Sequence, residues 1–200
     1  MLRIGLTGGI GSGKSTVSNK FKSYYNVPVI DADEINHSLL ISGSPAFNEI
    51  IDLFGSDALL ASGEIDRKYL RDKIFSDTDL KKKLENILHP KIRAEISHLA
   101  SSLTTDYCLI VIPLLIESQL QSIVDRILVI DASSDTQIQR VTHRDHCNEA
   151  HVKIIISSQA DAEERLKFAD DIVNNNGNFT ELDEQIEKLH KKYLTLSQQP

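Results

Sequence analysis

Apolar residues along this chain fall into two patterns that alternate. Short, almost unbroken apolar runs recur at Leu2–Leu6, Val27–Ile30, Tyr107–Ile112, Ile127–Ile130 and Asp171–Val173. Between them apolar residues return every three or four positions, the period of a helix buried along one stripe. Unbroken runs suit strands covered on both faces, and strands alternating with helices suit a parallel sheet. The prediction is an α/β fold, with a five-stranded parallel sheet in a three-layer α/β/α arrangement. Ligands in such sheets bind beyond the carboxyl ends of the strands, so the residues just after each run become the candidate site.

Two intervals are longer than a crossover needs. Ile35 to Ser102 carries helical patterns at Ala46–Phe54, stopped by Gly55, at Arg67–Phe75 and at Asp79–Leu103. It predicts an inserted helical subdomain that grips a second substrate. Asp135 to Phe168 carries the amphipathic patterns Thr136–His143, Glu149–Ser158 and Ala162–Ala169, with Arg140, Arg144 and Arg165 among them. Helices this short have little stability of their own, which predicts a mobile lid. The predicted organisation is one domain, with a core of 1–34, 104–134 and 169–200, a helical acceptor-binding subdomain over 35–103 and a lid over 135–168. A last helix over Glu181–Leu196 lines up Leu182, Ile186, Leu189, Tyr193 and Leu196 and is read as core packing.

Composition narrows the partners. The 200 residues are 40% hydrophobic, enough for a substantial core, and 22 Lys and Arg against 29 Asp and Glu leave a net charge of −7. That balance argues against a general affinity for nucleic acid. No apolar run approaches the roughly 20 residues that cross a bilayer, and the N-terminus passes directly into a strand, so a cytoplasmic protein without a membrane partner is expected. Cys108, in an apolar run, and Cys147, in a polar helical region, make no disulfide framework and are read as reduced thiols. The expected association state is a monomer or weak homo-oligomer.

The chemistry begins at Gly8-Gly9-Ile10-Gly11-Ser12-Gly13-Lys14-Ser15-Thr16, which satisfies G-x-x-x-x-G-K-[ST] between the first strand and a helix over Val17–Tyr25. Glycines at 8, 11 and 13 let the backbone approach phosphate oxygens, and the helix start aims N–H groups at the same point. Gly11 to Thr16 are therefore the candidate nucleotide-binding residues. Lys14 supplies a movable charge for the β- and γ-phosphates, and the Ser15 hydroxyl is the candidate Mg²⁺ ligand. Asp31-Ala32-Asp33 follows the second strand. One carboxylate of the pair, with Asp31 the candidate, suits Mg²⁺ through water, and the other suits an acceptor hydroxyl as general base or positioning group. The alternative for Asp33 is a cap on a helix starting near Glu34.

Other features sort more briefly. The strand ending at Ile112 is followed by Pro113 rather than an acid, and Asp52-Leu53-Phe54-Gly55 ends a helical pattern with no N-K-x-D anywhere, which counts against a regulatory GTPase. Arg140 and Arg144 share a helical face and suit a transferring phosphate, with a solvated face pairing with nearby acids such as Asp145 as the alternative for both. The cluster His143, Asp145, His146 and Cys147 lacks the spacing of a zinc site. His89-Pro90 predicts a helix break that aims an imidazole into the subdomain cleft. Asn174-Asn175-Asn176-Gly177 reads as a turn beside the phosphate loop, where Asn175 and Gly177 can cradle a nucleobase.

The ordered set of motifs resembles the dephospho-coenzyme A kinase family over nearly the whole chain. The matching pieces are Ile4 to Ser15, Asp31-Ala32-Asp33, Ile65-Asp66-Arg67, Leu88-His89-Pro90, Pro113-Leu114-Leu115 with Glu117, Gln139-Arg140 with Arg144-Asp145, Gln159, and Ala169-Asp170 with Asn175 and Gly177. The resemblance implies ATP- and Mg²⁺-dependent phosphorylation of the ribose 3′-hydroxyl of dephospho-CoA, giving CoA and ADP in the last step of coenzyme A synthesis. It also implies Asp33, Lys14 and Arg140 as catalytic residues, and Thr7, Asp33, His89, Glu117 and Arg144 as substrate-binding residues. One departure is Ile116, which stands where the family usually carries an aromatic. The rival within the same architecture is a small-molecule kinase acting on a nucleoside monophosphate or a shikimate-like acceptor.

Overall fold

Every residue of Tyr107–Val111 is buried, and this run forms the strand β3. It lies in one parallel sheet with β1 (Leu2–Thr7), β2 (Val29–Asp31), β4 (Arg126–Asp131) and β5 (Asp171–Asn174), in the order β2-β3-β1-β4-β5. The computed structural model describes residues 1–199. The register places Leu6 opposite Val111 and Leu128, Asp31 opposite Val111, and Asp131 opposite Asn174. Thr7, Asp31, Asp131 and Asn174 thus end their strands along one edge of the sheet. The second strand begins at Val29, two residues later than the apolar run suggests. Pro28 has no N–H for the ladder, and only its carbonyl takes part, accepting from the Leu109 N–H at 2.9 Å.

The helices α1 (Lys14–Tyr25) and α9 (Phe179–Ser197) cover one face of the sheet. Val17, Phe21, Leu182, Ile186, Leu189 and Tyr193 pack there with Ile4, Leu6, Leu109 and Leu128, and Leu196 sits partly buried at the margin. The α1 helix starts at Lys14 rather than Val17, because the turn at Gly13 sets its beginning and the apolar stripe enters only later. Cys108 is fully buried in β3, and burial pushes its thiol up to about 11, so it is a core residue with almost no thiolate.

Two compact units make up the chain: Met1–Asp31 together with the segment from Ala100 onward, and Ala32–Leu99. The second is helical, with α2 (Ala32–Leu39), α3 (Phe47–Phe54), α4 (Arg67–Ser76) and α5 (Thr78–Ser101). The expected break at Pro90 does not occur, since α5 runs through it. Leu84, Leu88, Ile92 and Ile96 form a buried stripe on both sides of the proline, and Asn86, whose carbonyl loses its partner, is exposed to water. Packing along that stripe outweighs the roughly 3 kcal/mol of an internal proline. The helix also starts at Thr78 rather than Asp79, because the Asp77 carboxylate accepts from the N–H groups of Asp79 and Leu80.

In the first unit, α6 (Ser134–Asp145), α7 (Glu149–Ser157) and α8 (Ala162–Lys167) follow β4. Ile138, Val141 and Val152 form a small separate core there, against which Ile10, Cys147 and Ile156 pack. Cys147 lies between helices, not within one: His146 takes a left-handed φ of 50° that ends α6, and Asn148 caps α7. Among the described residues no helix is long and apolar enough to cross a membrane.

Candidate active site

Most helices here are capped by their own sequence. Asp66, Ser133, Asn148, Asp161 and Asn178 each accept a hydrogen bond from a first-turn N–H of the helix they precede. The α1 helix is different: its N-cap is Gly13, at φ 99° and ψ 25°, and no side chain caps it. Its first-turn N–H groups and the positive end of its dipole are thereby presented to a ligand. Ser15, exposed, and Thr16, half-buried, lie in that turn. The Ser12 side chain beneath it is fully buried, and its Oγ has no hydrogen-bond partner among the described residues. An uncapped helix start over an unsatisfied buried hydroxyl is the chemistry of an oxyanion cradle.

Side chains from three elements converge on this loop. Lys14 Nζ donates to the carbonyls of Gly8 at 2.8 Å and Gly9 at 3.1 Å, which folds the ammonium back over the loop. Arg140, from α6, donates to the carbonyls of Gly11, Ser12 and Asn175 at 3.4, 3.3 and 2.9 Å. Asn175, just past β5 and buried, donates from Nδ2 to the Ser12 carbonyl at 2.7 Å. A Cβ on Gly13 would sit 2.2 Å from that Nδ2 in a backbone conformation L residues rarely adopt. Gly13→Ala is therefore expected to weaken ATP binding about tenfold, given the ~1–3 kcal/mol such strain costs. Equilibrium dialysis with ATP checks this, and an unchanged Kd would count against the cradle.

A second layer holds the loop from the other side, and sequence reasoning gave a role in it to Glu117 alone, as a substrate-binding residue. Ile10 N–H donates to Gln159 Oε1 at 2.9 Å, and the next residue, Ala160, donates its N–H to Glu117 Oε1 at 2.9 Å. Arg165, only 7% exposed, donates to the Ala160 carbonyl. It also lies with Gln137 against Gly9, where a Cβ would meet Gln137 Nε2 at 2.8 Å and Arg165 Nη2 at 3.1 Å. A charge-rich helix of six residues gives no local sign that one of its arginines is buried. The only available signal was Gly9, a glycine whose side of the loop must stay open for close neighbours.

The remaining candidates divide. Thr7 is buried, and its Oγ1 donates to the Pro113 carbonyl at 3.2 Å, tying the end of β1 to the turn after β3. Asp31, half-buried, ends β2 and immediately precedes α2. The helix starts at Ala32, so Asp33 lies inside its first turn, exposed, and is not the cap of a later helix. Arg144 pairs with Asp145 at 2.7 Å while largely exposed, the arrangement of a solvated helix face. A Cβ on Gly177 would meet the Glu181 carboxylate at the start of α9. Ile116 is buried at 7% exposure beside Leu115, a packing position in this chain.

Asp33 and His89 belong to the helical unit. Asp33 lines a cleft of about 420 Å³ there, together with Arg67, Arg71, Leu84 and Leu88. His89, half-buried on α5, is not part of that lining, and burial holds its imidazole below the usual range, favouring the neutral ring.

Comparison with known proteins bears on the whole chain. The family model described as dephospho-CoA kinase matches residues 2–181. A protein of Vibrio vulnificus named dephospho-CoA kinase is 42% identical over 198 residues, covering 99% of this chain and 98% of that one. A dephospho-CoA kinase from Campylobacter jejuni has a solved structure that superposes with a TM-score of 0.68 at 29% identity, covering 96% of this chain and 97% of that one. The protein TT1252 from Thermus thermophilus superposes with a TM-score of 0.85, also at 29% identity and with the same coverage. An uncapped phosphate loop under Lys14 and Arg140, in a chain matched from end to end by these relatives, fixes the assignment: the chain belongs to the dephospho-CoA kinase family.

Proposed function

We propose that this protein transfers the γ-phosphoryl group of ATP to the ribose 3′-hydroxyl of dephospho-CoA, releasing CoA and ADP. The observation that carries the reading is the family match across residues 2–181, on a chain whose α1 helix begins uncapped over a loop ringed by Lys14, Arg140 and Asn175. Donor handling belongs to the sheet-containing unit and acceptor handling to the helical unit.

The loop amides of Gly11 to Thr16 hold the phosphates of the donor, and Asn175 keeps the loop in shape by its bond to Ser12. Lys14 leaves the Gly8 and Gly9 carbonyls for the β- and γ-oxygens, where its charge offsets the charge that develops during transfer. Arg140 steadies the same loop and turns part of its fork toward the transferring group. Ser15 and Asp31 are the residues that would hold Mg²⁺, which when bound spreads the negative charge of the phosphates. No group of three or more His, Cys, Asp or Glu that could hold a metal occurs among the described residues. That suits an ion carried mostly by nucleotide oxygens and water, with one or two protein ligands. Asp33 orients the acceptor hydroxyl and takes its proton as the new P–O bond forms and the bond from the γ-phosphorus to the bridging oxygen breaks. Thr7 and Glu117 act as supports: Thr7 braces the strand end, and Glu117 anchors Ala160 beside the loop.

An acceptor screen tests the reading. With purified protein and Mg-ATP, ADP should form with dephospho-CoA and not with AMP, CMP or shikimate, and the product should carry a 3′-phosphate by mass spectrometry. ADP formation that depends on AMP, CMP or shikimate, and not on dephospho-CoA, would overturn it.

A further inference from the structure

Among the described residues Asp171 is the one buried carboxylate and Arg165 the one buried cation, at 8% and 7% exposure. The fold answers the first twice: Arg126 Nε pairs with Asp171 at 3.2 Å, and Lys192 pairs with it from α9. It leaves the second without an anion. The Arg165 guanidinium donates to the Ala160 carbonyl and forms no ion pair among the described residues, whereas the more exposed Arg3 and Arg144 hold Asp125 and Asp145. A guanidinium taken out of water without a carboxylate is costly unless a ligand supplies the missing charge.

That charge stands beside the phosphate loop. A Cβ on Gly9 would lie 3.1 Å from Arg165 Nη2 and 2.8 Å from Nε2 of the buried Gln137. The Gly9 carbonyl accepts from Lys14 Nζ at 3.1 Å and from the Ser12 N–H at 3.2 Å. One residue thus meets the ammonium that leaves for the donor and a guanidinium that stays. The turn before α8 is pinned by three bonds: Glu117 accepts from the Ala160 N–H, Arg165 donates to the Ala160 carbonyl, and Gln159 accepts from the Ile10 N–H. These bonds hold the arginine and the loop in one frame.

We propose that Arg165 is a positioning residue of the donor site: it takes the phosphates of bound ATP as its counter-charge across the Gly8–Gly9 stretch and, with Gln137, keeps that stretch in place when Lys14 leaves it. The inference rests on the reading of this loop as the ATP site. Its support is the unequal treatment of the two buried charges. Asp171 is neutralised within the fold, and Arg165 is left beside a loop whose uncapped helix start is built for an anion. Its effect therefore grows with the charge on the nucleotide, which a packing or hydrogen-bonding role would not show. By linkage, bound ATP in turn holds α8 more firmly against the loop.

The test compares two replacements by direct binding of ATP, ADP and AMP, measured by isothermal titration calorimetry. Arg165→Lys keeps the charge, and Arg165→Gln keeps a donor for the Ala160 carbonyl but loses the charge. Arg165→Gln should raise Kd about tenfold for ATP, about threefold for ADP and by under about twofold for AMP. Arg165→Lys should stay within about threefold of wild type throughout. In steady-state turnover Arg165→Gln should raise KM for ATP and leave KM for dephospho-CoA unchanged. Gln137→Glu leaves Arg165 intact and sets a carboxylate beside its charge. Without nucleotide its melting temperature should exceed that of wild type, and its loss of affinity should be larger for ATP than for AMP. Equal losses for the three nucleotides in Arg165→Gln, wild-type binding by glutamine but not by lysine, or a lowered melting temperature in Gln137→Glu would each overturn the proposal. Should neither Arg165 variant fold, Gln137→Glu decides alone. If wild type binds no ATP, the donor reading falls and the positioning role with it; if wild type binds ATP and these patterns fail, only the positioning role falls.

Discussion

Lys14→Ala is expected to lower kcat/KM about 10³-fold, the size of one removed contact to developing charge in a preorganised site. The reason lies in where the ammonium is held. In the structure it donates to the carbonyls of Gly8 and Gly9, neutral dipoles that phosphate oxygens can replace. Both ATP affinity and turnover should fall, because the charge acts on the bound nucleotide and on the transition state alike. Lys14→Arg should not restore activity, since a planar fork does not replace a compact point charge folded tightly over a loop. Stability should change little: the side chain is only half-buried, and the two carbonyls can turn to water. Initial rates with Mg-ATP and dephospho-CoA, set beside an ATP titration, check this. Unchanged ATP affinity with full activity would remove Lys14 from the donor site.

The contrast between Lys14 and the residues around it shows what a sequence discloses. Strands were legible almost to the residue because a strand buried on both faces needs an unbroken apolar run, and Tyr107–Val111 has one. Boundaries drifted where a single residue decides them: Pro28 delays β2, Gly13 opens α1, and the Asp77 carboxylate starts α5. Pro90 misled because a local rule about lost hydrogen bonds cannot see the buried stripe from Leu84 to Ile96 that holds α5 together. The phosphate loop was legible because its chemistry is local, a glycine turn feeding a helix. Arg165, Gln137 and Gln159 were not, because their role comes from a tertiary approach to Gly9 and Ile10 more than a hundred positions away in the sequence. The same limit applies to Arg144, whose shared face with Arg140 suggested a shared task. About one turn of rise along the axis lets Arg140 reach the loop carbonyls while Arg144 pairs with Asp145.

Asp33→Asn should separate the two halves of the reaction. Asparagine keeps the size and the hydrogen-bonding reach of the side chain but cannot accept a proton, so acceptor and donor should still bind. Transfer should then fall by about 10² to 10⁴, the range that a positioned general base supplies. Asp33 is exposed in the first turn of α2, so the substitution should leave the melting temperature near that of wild type. The expected pattern is a large loss in kcat with KM for ATP and for dephospho-CoA changed by less than a few fold. A variant of Asp31 should behave differently: as a metal-holding residue, its loss should be partly offset by raising Mg²⁺, whereas no Mg²⁺ concentration should rescue Asp33→Asn. Rates measured across a Mg²⁺ series for Asp31→Asn and Asp33→Asn distinguish the two carboxylates. Turnover of Asp33→Asn within a few fold of wild type, or its recovery by Mg²⁺, would move the proton-accepting role away from Asp33.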